Sequence, residues 1–247
     1  EPDHYPLRDD VVRYLEDYAK AFRLPVRQYT RVQHVRRVRG LFQLQTDDGE
    51  IFCSRALVVC TGGFNQPFIP DIQGLQGVLG RSLHSAEYRN AEGFGDQRVV
   101  VVGAANSAVQ IAYELAHVSK VVLASREPIR FFPQKILGLD FHAWLKWSGL
   151  EKTRWLNDQS TPVLDDGIYR RALKKKLFER KPMFEAITPT GVIWADGQHT
   201  EVDSLVFATG FRPNLEFLSG LECPGDEYWA HRNGQVEHLP GLYFVGL

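Results

Sequence analysis

The stretch VVVVGAANSAVQIAYELA, residues 99–116, constrains this chain more than any other. Four successive valines read as a strand covered on both faces, and Ala108, Ile111, Ala112 and Leu115 then recur on one side of a helix. Only small or short residues separate the two. A further apolar run at 121–124 completes a β-α-β unit.

The other segments are consistent with an α/β chain. Val12, Leu15, Ala19 and Phe22 have helical spacing over 9–22, with Asp9 or Asp10 placed to cap it, and such a helix is expected to cover a sheet. The run LFQLQTDDGEIFCS predicts a hairpin around its Thr-Asp-Asp-Gly turn, followed by a buried strand at 56–60. Valines 32, 35 and 38 have a period that decides nothing. Residues 61–97 are rich in Gly, Pro and Asn and read as connecting segments, with a domain boundary near 95. Beyond 126 come an aromatic-rich insertion, a basic helix near 167–180, a hairpin within 184–197, and buried strands at 204–208 and 242–245.

The loop of the β-α-β unit has the chemistry of a phosphate cradle. In a G-x-G-x-x-G/A loop the first glycine turns the chain, the second admits a pyrophosphate and the third position packs helix on strand. Here Gly103, Ala105 and Ala108 hold those places. Ala105 adds a methyl where the ligand comes closest, which moves a pyrophosphate outward onto the helix N-terminal amides, with Asn106 and Ser107 able to add side-chain hydrogen bonds. A β-to-α turn that uses small residues only for packing would read the same way. At the end of the next strand an NAD site wants an acidic residue and an NADP site an arginine. Ser125-Arg126 stands there, with Arg126 able to fork onto a 2′-phosphate; Glu127, one residue on, keeps NAD open.

Further patterns carry a resemblance to a known family. GRSLHSAEY sets Gly80, His84 and Tyr88 as G-x-x-x-H-x-x-x-Y, which resembles the fingerprint of the flavin-containing and Baeyer-Villiger monooxygenases, with Val78 at its leading Phe position. VVCTGGFNQP and LVFATGFRPN are similar to the paired Thr-Gly strand ends of such flavoproteins, and PGLYFVGL to their last strand before the flavin. The resemblance spans essentially the whole chain. It implies two Rossmann-like dinucleotide-binding domains, the NADPH domain inserted in an incomplete FAD domain: 1–95 and 206–247 for FAD, 96–205 for NADPH. It also implies an NADPH-dependent flavoprotein in which reduced FAD activates oxygen to oxidise a small molecule. Under it the backbone at Val32, Thr61, Gly62 and Gly246 approaches FAD, while Gly103, Asn106, Ser107, Arg126, Thr209 and Gly210 approach NADPH. The family's first β-α-β unit, with the FAD glycine loop, is expected before Glu1, and a helix after Leu247, so the chain reads as a fragment. His84, with no carboxylate beside it in sequence, reads as a linker residue that holds geometry, not as an acid or base.

Composition narrows the alternatives. Twenty-nine basic against thirty acidic side chains leave a net charge of -1, which gives no field for nucleic acid or an anionic membrane. No apolar run reaches the roughly 18 residues of a spanning helix. Phe131, Phe132, Phe141, Trp144, Trp147 and Trp155 suit a membrane-surface helix or a cover over the nicotinamide and substrate cleft, and core packing explains them better. The basic run around Arg170–Lys176 reads as a solvated face, and Asp165-Asp166 as helix capping. Cysteines 53, 60 and 223 form neither C-x-x-C nor a metal spacing, which points to the cytoplasm and no metal. Cys53 and Cys60 are also poorly spaced for a flavin-dependent thiol-disulfide reductase, the second enzyme reading. A module that binds NADP(H) without turnover is the third.

Overall fold

The computed structural model describes residues 6–77, 80–136, 138–141, 145–146, 162–221 and 231–246. Val78, Trp144, Trp147, Trp155 and Cys223 lie outside the described residues. The chain divides into two compact units, Gly62–Pro213 and Glu1–Thr61 with Asn214–Leu247.

The first unit is built on five parallel strands in the order Glu179–Pro182, Lys120–Ser125, Arg98–Val102, Ser204–Phe207 and Arg81–His84. Valine alternation explains why the four-valine run needs cover on both faces. Val99 and Val101 pack with Ala108, Ile111, Ala112 and Leu115 of the helix Asn106–Leu115. Val100 and Val102 point the other way, into Phe184, Ile187, Val192 and Trp194. That second layer is a three-stranded antiparallel sheet, Ala186–Thr188, Gly191–Ile193 and His199–Glu201. One face is thus covered by helix and the other by sheet.

The Arg81–His84 strand was not legible, because its first two residues are exposed and only Leu83 and His84 are buried. Its pairing with Ser204–Phe207 carries this unit back to Gly62, where the sequence places a boundary near 95. The basic helix is shorter than expected, Ile168–Lys174. Asp165 caps it as the sequence suggests, its carboxylate accepting from the amides of Tyr169 at 3.0 Å and Arg170 at 3.1 Å.

At the amino ends of the strands, Arg98 binds Asp203 through Nε at 3.0 Å and Nη2 at 2.7 Å, and also pairs with Glu201. The Arg98 hydrogen bonds hold the Asp203 carboxyl down at about 2. A depressed carboxylate stabilises the fold above its unfolded value, near 3.9, and loses that contribution as pH falls through the folded value. Thermal unfolding followed from pH 5 to 2 should show this acid-dependent loss in the wild type and a shallower one in Asp203→Asn.

In the second unit, Val32–Val38, Leu41–Thr46 and Ile51–Ser54 form an antiparallel sheet, and Leu57–Val59 pairs in parallel with Leu242–Phe244. The valine period at 32–38 resolves as strand, with Val35 buried between exposed neighbours. Val35, Phe42, Val59, Leu218, Leu242 and Phe244 make the core. The helix forms over Arg8–Ala21, yet none of its residues is buried, against the expectation that it covers a sheet. Its N-cap is Leu7; Asp9 and Asp10 sit in the first turn, and Asp10 accepts from the Leu7 amide at 3.3 Å. Among the described residues no helix is long and apolar enough to cross a membrane.

Candidate functional site

The carboxyl ends of the central strands in the Gly62–Pro213 unit surround a cavity of about 510 Å³. This is the end at which open parallel sheets bind ligands, and the size suits a small-molecule or cofactor site. Gly103, Ala105 and Ser107 line one side, Ser125 and Arg126 another, and Thr209 and Gly210 a third. Three separate sequence signals therefore converge on one space.

Gly103 makes the tight crossing. Its φ is +147°, and a Cβ there would sit 2.4 Å from the Ala208 carbonyl oxygen and 2.9 Å from the Ala108 Cβ. This also accounts for Ala108, which is fully buried and leaves no room for a larger side chain. Ala105 is the helix N-cap, in ordinary extended geometry at φ -93°. An alanine cap supplies no side-chain acceptor. The first intrahelical bond is Val109 N–H to Ala105 O at 3.2 Å, so the amides of Asn106, Ser107 and Ala108 precede the ladder with no capping side chain. Three donors and the positive end of the helix dipole are left for an anion.

The polar side chains of the loop and strand end have distinct partners. Ser107 is exposed and lines the cavity. The Asn106 Oδ1 instead accepts from the Leu164 amide at 3.1 Å, tying the helix start to the Val163–Leu164 strand. Ser125 is buried, its hydroxyl donating to the Glu127 carbonyl at 2.7 Å. It also accepts from Arg180 Nε at 2.9 Å, while Arg180 Nη2 donates to the Ser125 carbonyl at 3.0 Å. Ser125 is thus occupied in shaping the loop that presents Arg126. Arg126 itself is exposed and makes no ion pair or hydrogen bond among the described residues. Glu127 lies 3.9 Å from Arg130 and lines the same cavity.

Sequence reasoning missed Arg180, because its role depends on the parallel register that sets Pro182 against Ser125 and Arg180 against Leu123. It also missed the apolar wall of Phe64, Pro70, Met183 and Phe211. The segment bearing Phe64 is held by a short antiparallel pairing of Gln66–Pro67 with Phe211–Arg212 and by the Thr209 hydroxyl donating to the Phe68 carbonyl.

The fingerprint residues have separable tasks. A Cβ on Gly80 would lie 2.5 Å from the Asp203 carbonyl oxygen, so this position must be small where two strands begin. His84 is 2% exposed, with Nε2 2.9 Å from the Gly210 carbonyl and Nδ1 3.1 Å from the Ala86 amide. Nδ1 accepts only when bare, which fixes the proton on Nε2. Burial lowers the His84 pKa, opposed by the Gly210 hydrogen bond and the charge of Glu87. Stability should therefore be level above about pH 6.5 and fall below it, as the unfolded chain takes up the proton first; a melting-temperature series on wild type and His84→Gln checks this. Tyr88 packs against Phe94 at 5.9 Å, and burial raises its phenol pKa. It is absent from the cavity lining.

Of the positions expected near FAD, Thr61 and Gly246 follow the neighbouring parallel strands Leu57–Val59 and Leu242–Phe244, joined by Val245 N–H to Val59 O at 3.0 Å. Val32 opens a different sheet, opposite Thr46, and packs on its unit's core. Gly62, with φ +68°, begins the cavity-bearing unit. Cys53 and Cys60 are exposed and free. Among the described residues no group of three or more His, Cys, Asp or Glu is placed to hold a metal ion.

A parallel sheet, a small-residue loop and an open helix start at its carboxyl edge are general nucleotide-binding features, and comparison gives them a family. Residues 2–246 match the family model described as pyridine nucleotide-disulphide oxidoreductase. This chain belongs to that family. It is 30% identical over 257 residues to an uncharacterized CzcO-like oxidoreductase of Geobacillus kaustophilus, covering 100% of this chain and 72% of the relative. It is 28% identical over 291 residues to the indole-3-pyruvate monooxygenase YUCCA1 of Oryza sativa subsp. japonica, covering 98% and 69%. A flavin-containing monooxygenase structure from Stenotrophomonas maltophilia superposes with a TM-score of 0.81 at 27% identity, covering 98% of this chain and 69% of that one. The mixed α/β fold is thus that of flavin monooxygenases in this family.

Proposed function

We propose that this protein is an FAD- and NADPH-dependent oxidoreductase acting as a monooxygenase on a small molecule, with NADPH held in the cavity of the Gly62–Pro213 unit. The observation that carries the reading is that the Gly103–Ala105 loop with Ser107 of the uncapped helix start, and Arg126, which has no ion pair or hydrogen bond among the described residues, line one cavity. Its relatives named for monooxygenase activity support the chemistry.

The residues fit the nicotinamide dinucleotide. Gly103 would turn the chain tightly beneath a pyrophosphate that the Ala105 methyl keeps outward, the amides of the helix start at 106–108 would donate to it, and Arg126 would pair with the 2′-phosphate. Arg180 holds Arg126's loop through Ser125, and the Phe64–Phe211 wall excludes water. Thr61, Gly246 and Val32 belong to the FAD side of the proposal, and Gly62, the first residue of the cavity-bearing unit, is proposed to approach FAD from the division itself. The domain arrangement proposed is an NADPH domain inserted in an FAD domain, with the structural divisions at 61/62 and 213/214. When bound, NADPH and FAD supply the hydride and the oxygen-activating redox chemistry.

The test is aerobic turnover of FAD-loaded protein with NADPH and a panel of small sulfides, amines and ketones, following oxygen uptake and label from isotopic O₂ in the oxidised substrate. One labelled oxygen atom per NADPH is expected. FAD-loaded protein that leaves NADPH unoxidised would overturn the reading, and hydrogen peroxide as sole product would reduce it to an oxidase.

A further inference from the structure

We infer that His84 is a positioning residue for the cofactor site, acting through the carbonyl of Gly210. The inference rests on the NADPH reading and adds to it a residue that lies outside the cavity.

Gly210 is a cavity-wall residue with φ +84°, a left-handed turn with open space around its α-carbon. Such a turn holds one orientation only when its peptide groups are tied. Its carbonyl accepts twice, from His84 Nε2 at 2.9 Å and from the Phe68 amide at 3.0 Å, which uses both lone pairs. The histidine is itself fixed at its other nitrogen by the Ala86 amide. Its ring stands edge-on to Phe211 at 4.9 Å and 84°, and Phe211 in turn meets Phe64 at 5.9 Å and 87°. One buried side chain thus ties a wall turn and buttresses two aromatic rings of the same cavity.

The arrangement selects histidine over other large residues. A phenylalanine would keep the contact with Phe211 but strip the Gly210 carbonyl of a donor inside a buried setting, which is costly. Glutamine can extend an N–H to about the position of Nε2. His84 therefore shapes where the Thr209–Gly210 turn and Phe211 stand when the dinucleotide arrives, without touching it.

The experiment measures NADPH dissociation constants by equilibrium titration of wild type, His84→Phe and His84→Gln, each checked for folding by circular dichroism. Wild type should bind, His84→Phe should bind roughly tenfold more weakly, and His84→Gln should return to within about threefold of wild type, as expected for loss and restoration of one hydrogen bond. Wild-type protein that fails to bind NADPH would refute the cofactor reading itself. Wild-type binding matched by His84→Phe, or equal weakening by both variants, would overturn the positioning role alone. Should His84→Phe not fold, His84→Asn keeps an acceptor near the Nδ1 position but lacks the reach to the Gly210 carbonyl, and unchanged NADPH affinity there would overturn it equally.

Discussion

Of the glycines that line the cavity, Gly103 should tolerate an added methyl group least, so Gly103→Ala should be strongly damaging. The added Cβ meets the Ala208 carbonyl oxygen at 2.4 Å and the Ala108 Cβ at 2.9 Å, and neither atom sits on a flexible side chain that could swing away. The φ of +147° adds conformational strain for any L side chain. Overpacking and strain of this kind cost about 2–4 kcal/mol. For a unit of this size that lowers the melting temperature by roughly 5–15 °C. Differential scanning calorimetry checks the stability, and titration should show NADPH binding lost in step, because the same displacement shifts the helix start. Ala105→Gly provides the contrast. Ala105 is exposed and in ordinary extended geometry, so that change should leave stability near wild type and the site intact.

Arg126→Ala should separate the two nicotinamide cofactors. The wild-type guanidinium is exposed, lines the cavity and has no competing partner among the described residues, so its whole hydrogen-bonding capacity is available to a phosphate. A bidentate, charge-assisted contact makes an expected loss of roughly 30- to 100-fold in NADPH affinity. NADH, which lacks the 2′-phosphate, should change by less than about threefold. Equal losses for the two cofactors would show that Arg126 serves the loop and not the phosphate. High salt should weaken NADPH more than NADH in the wild type, since an exposed ion pair is screened.

Some of this was legible in sequence for identifiable reasons. The β-α-β unit stands out because a continuous valine run changes abruptly to helical spacing across a glycine, and both patterns are local. Arg126 could be located by counting to the end of the next strand. What could not be read depends on register or on how side chains share partners. Arg180 reaches Ser125 only because Glu179–Pro182 lies parallel to Lys120–Ser125. The bond from the Leu164 amide to the Asn106 side-chain carbonyl, which leaves the side-chain NH₂ as the donor toward a ligand, joins residues 58 positions apart. The Thr209–Gly210 turn lines the cavity as its motif suggested, but the bond from the Thr209 hydroxyl to the Phe68 carbonyl, 141 positions away, was not legible. The Arg81–His84 strand escaped because an edge strand with half its residues exposed carries no apolar run. Conversely, the spacing of Val12, Leu15 and Phe22 correctly predicted a helix but not its surroundings, since periodicity reports a face and not what covers it.

His84 illustrates the same division. The motif around it suggested a residue that holds geometry, with no adjacent carboxylate in the chain; Glu87, three positions on, accepts from the His84 backbone amide at 2.9 Å. Its actual partner, Gly210, lies 126 positions away and is brought to it by the pairing of Ser204–Phe207 with Arg81–His84.

The central claim is that the loop, the strand end and the Thr-Gly turn form one NADPH site. Hydrogen exchange of the backbone amides with and without saturating NADPH tests it most directly. The account predicts protection concentrated at residues 103–108, 125–127 and 209–211, weaker with NADH at 125–127. Unchanged exchange at residues 106–108, or protection confined to another part of the chain, would contradict it.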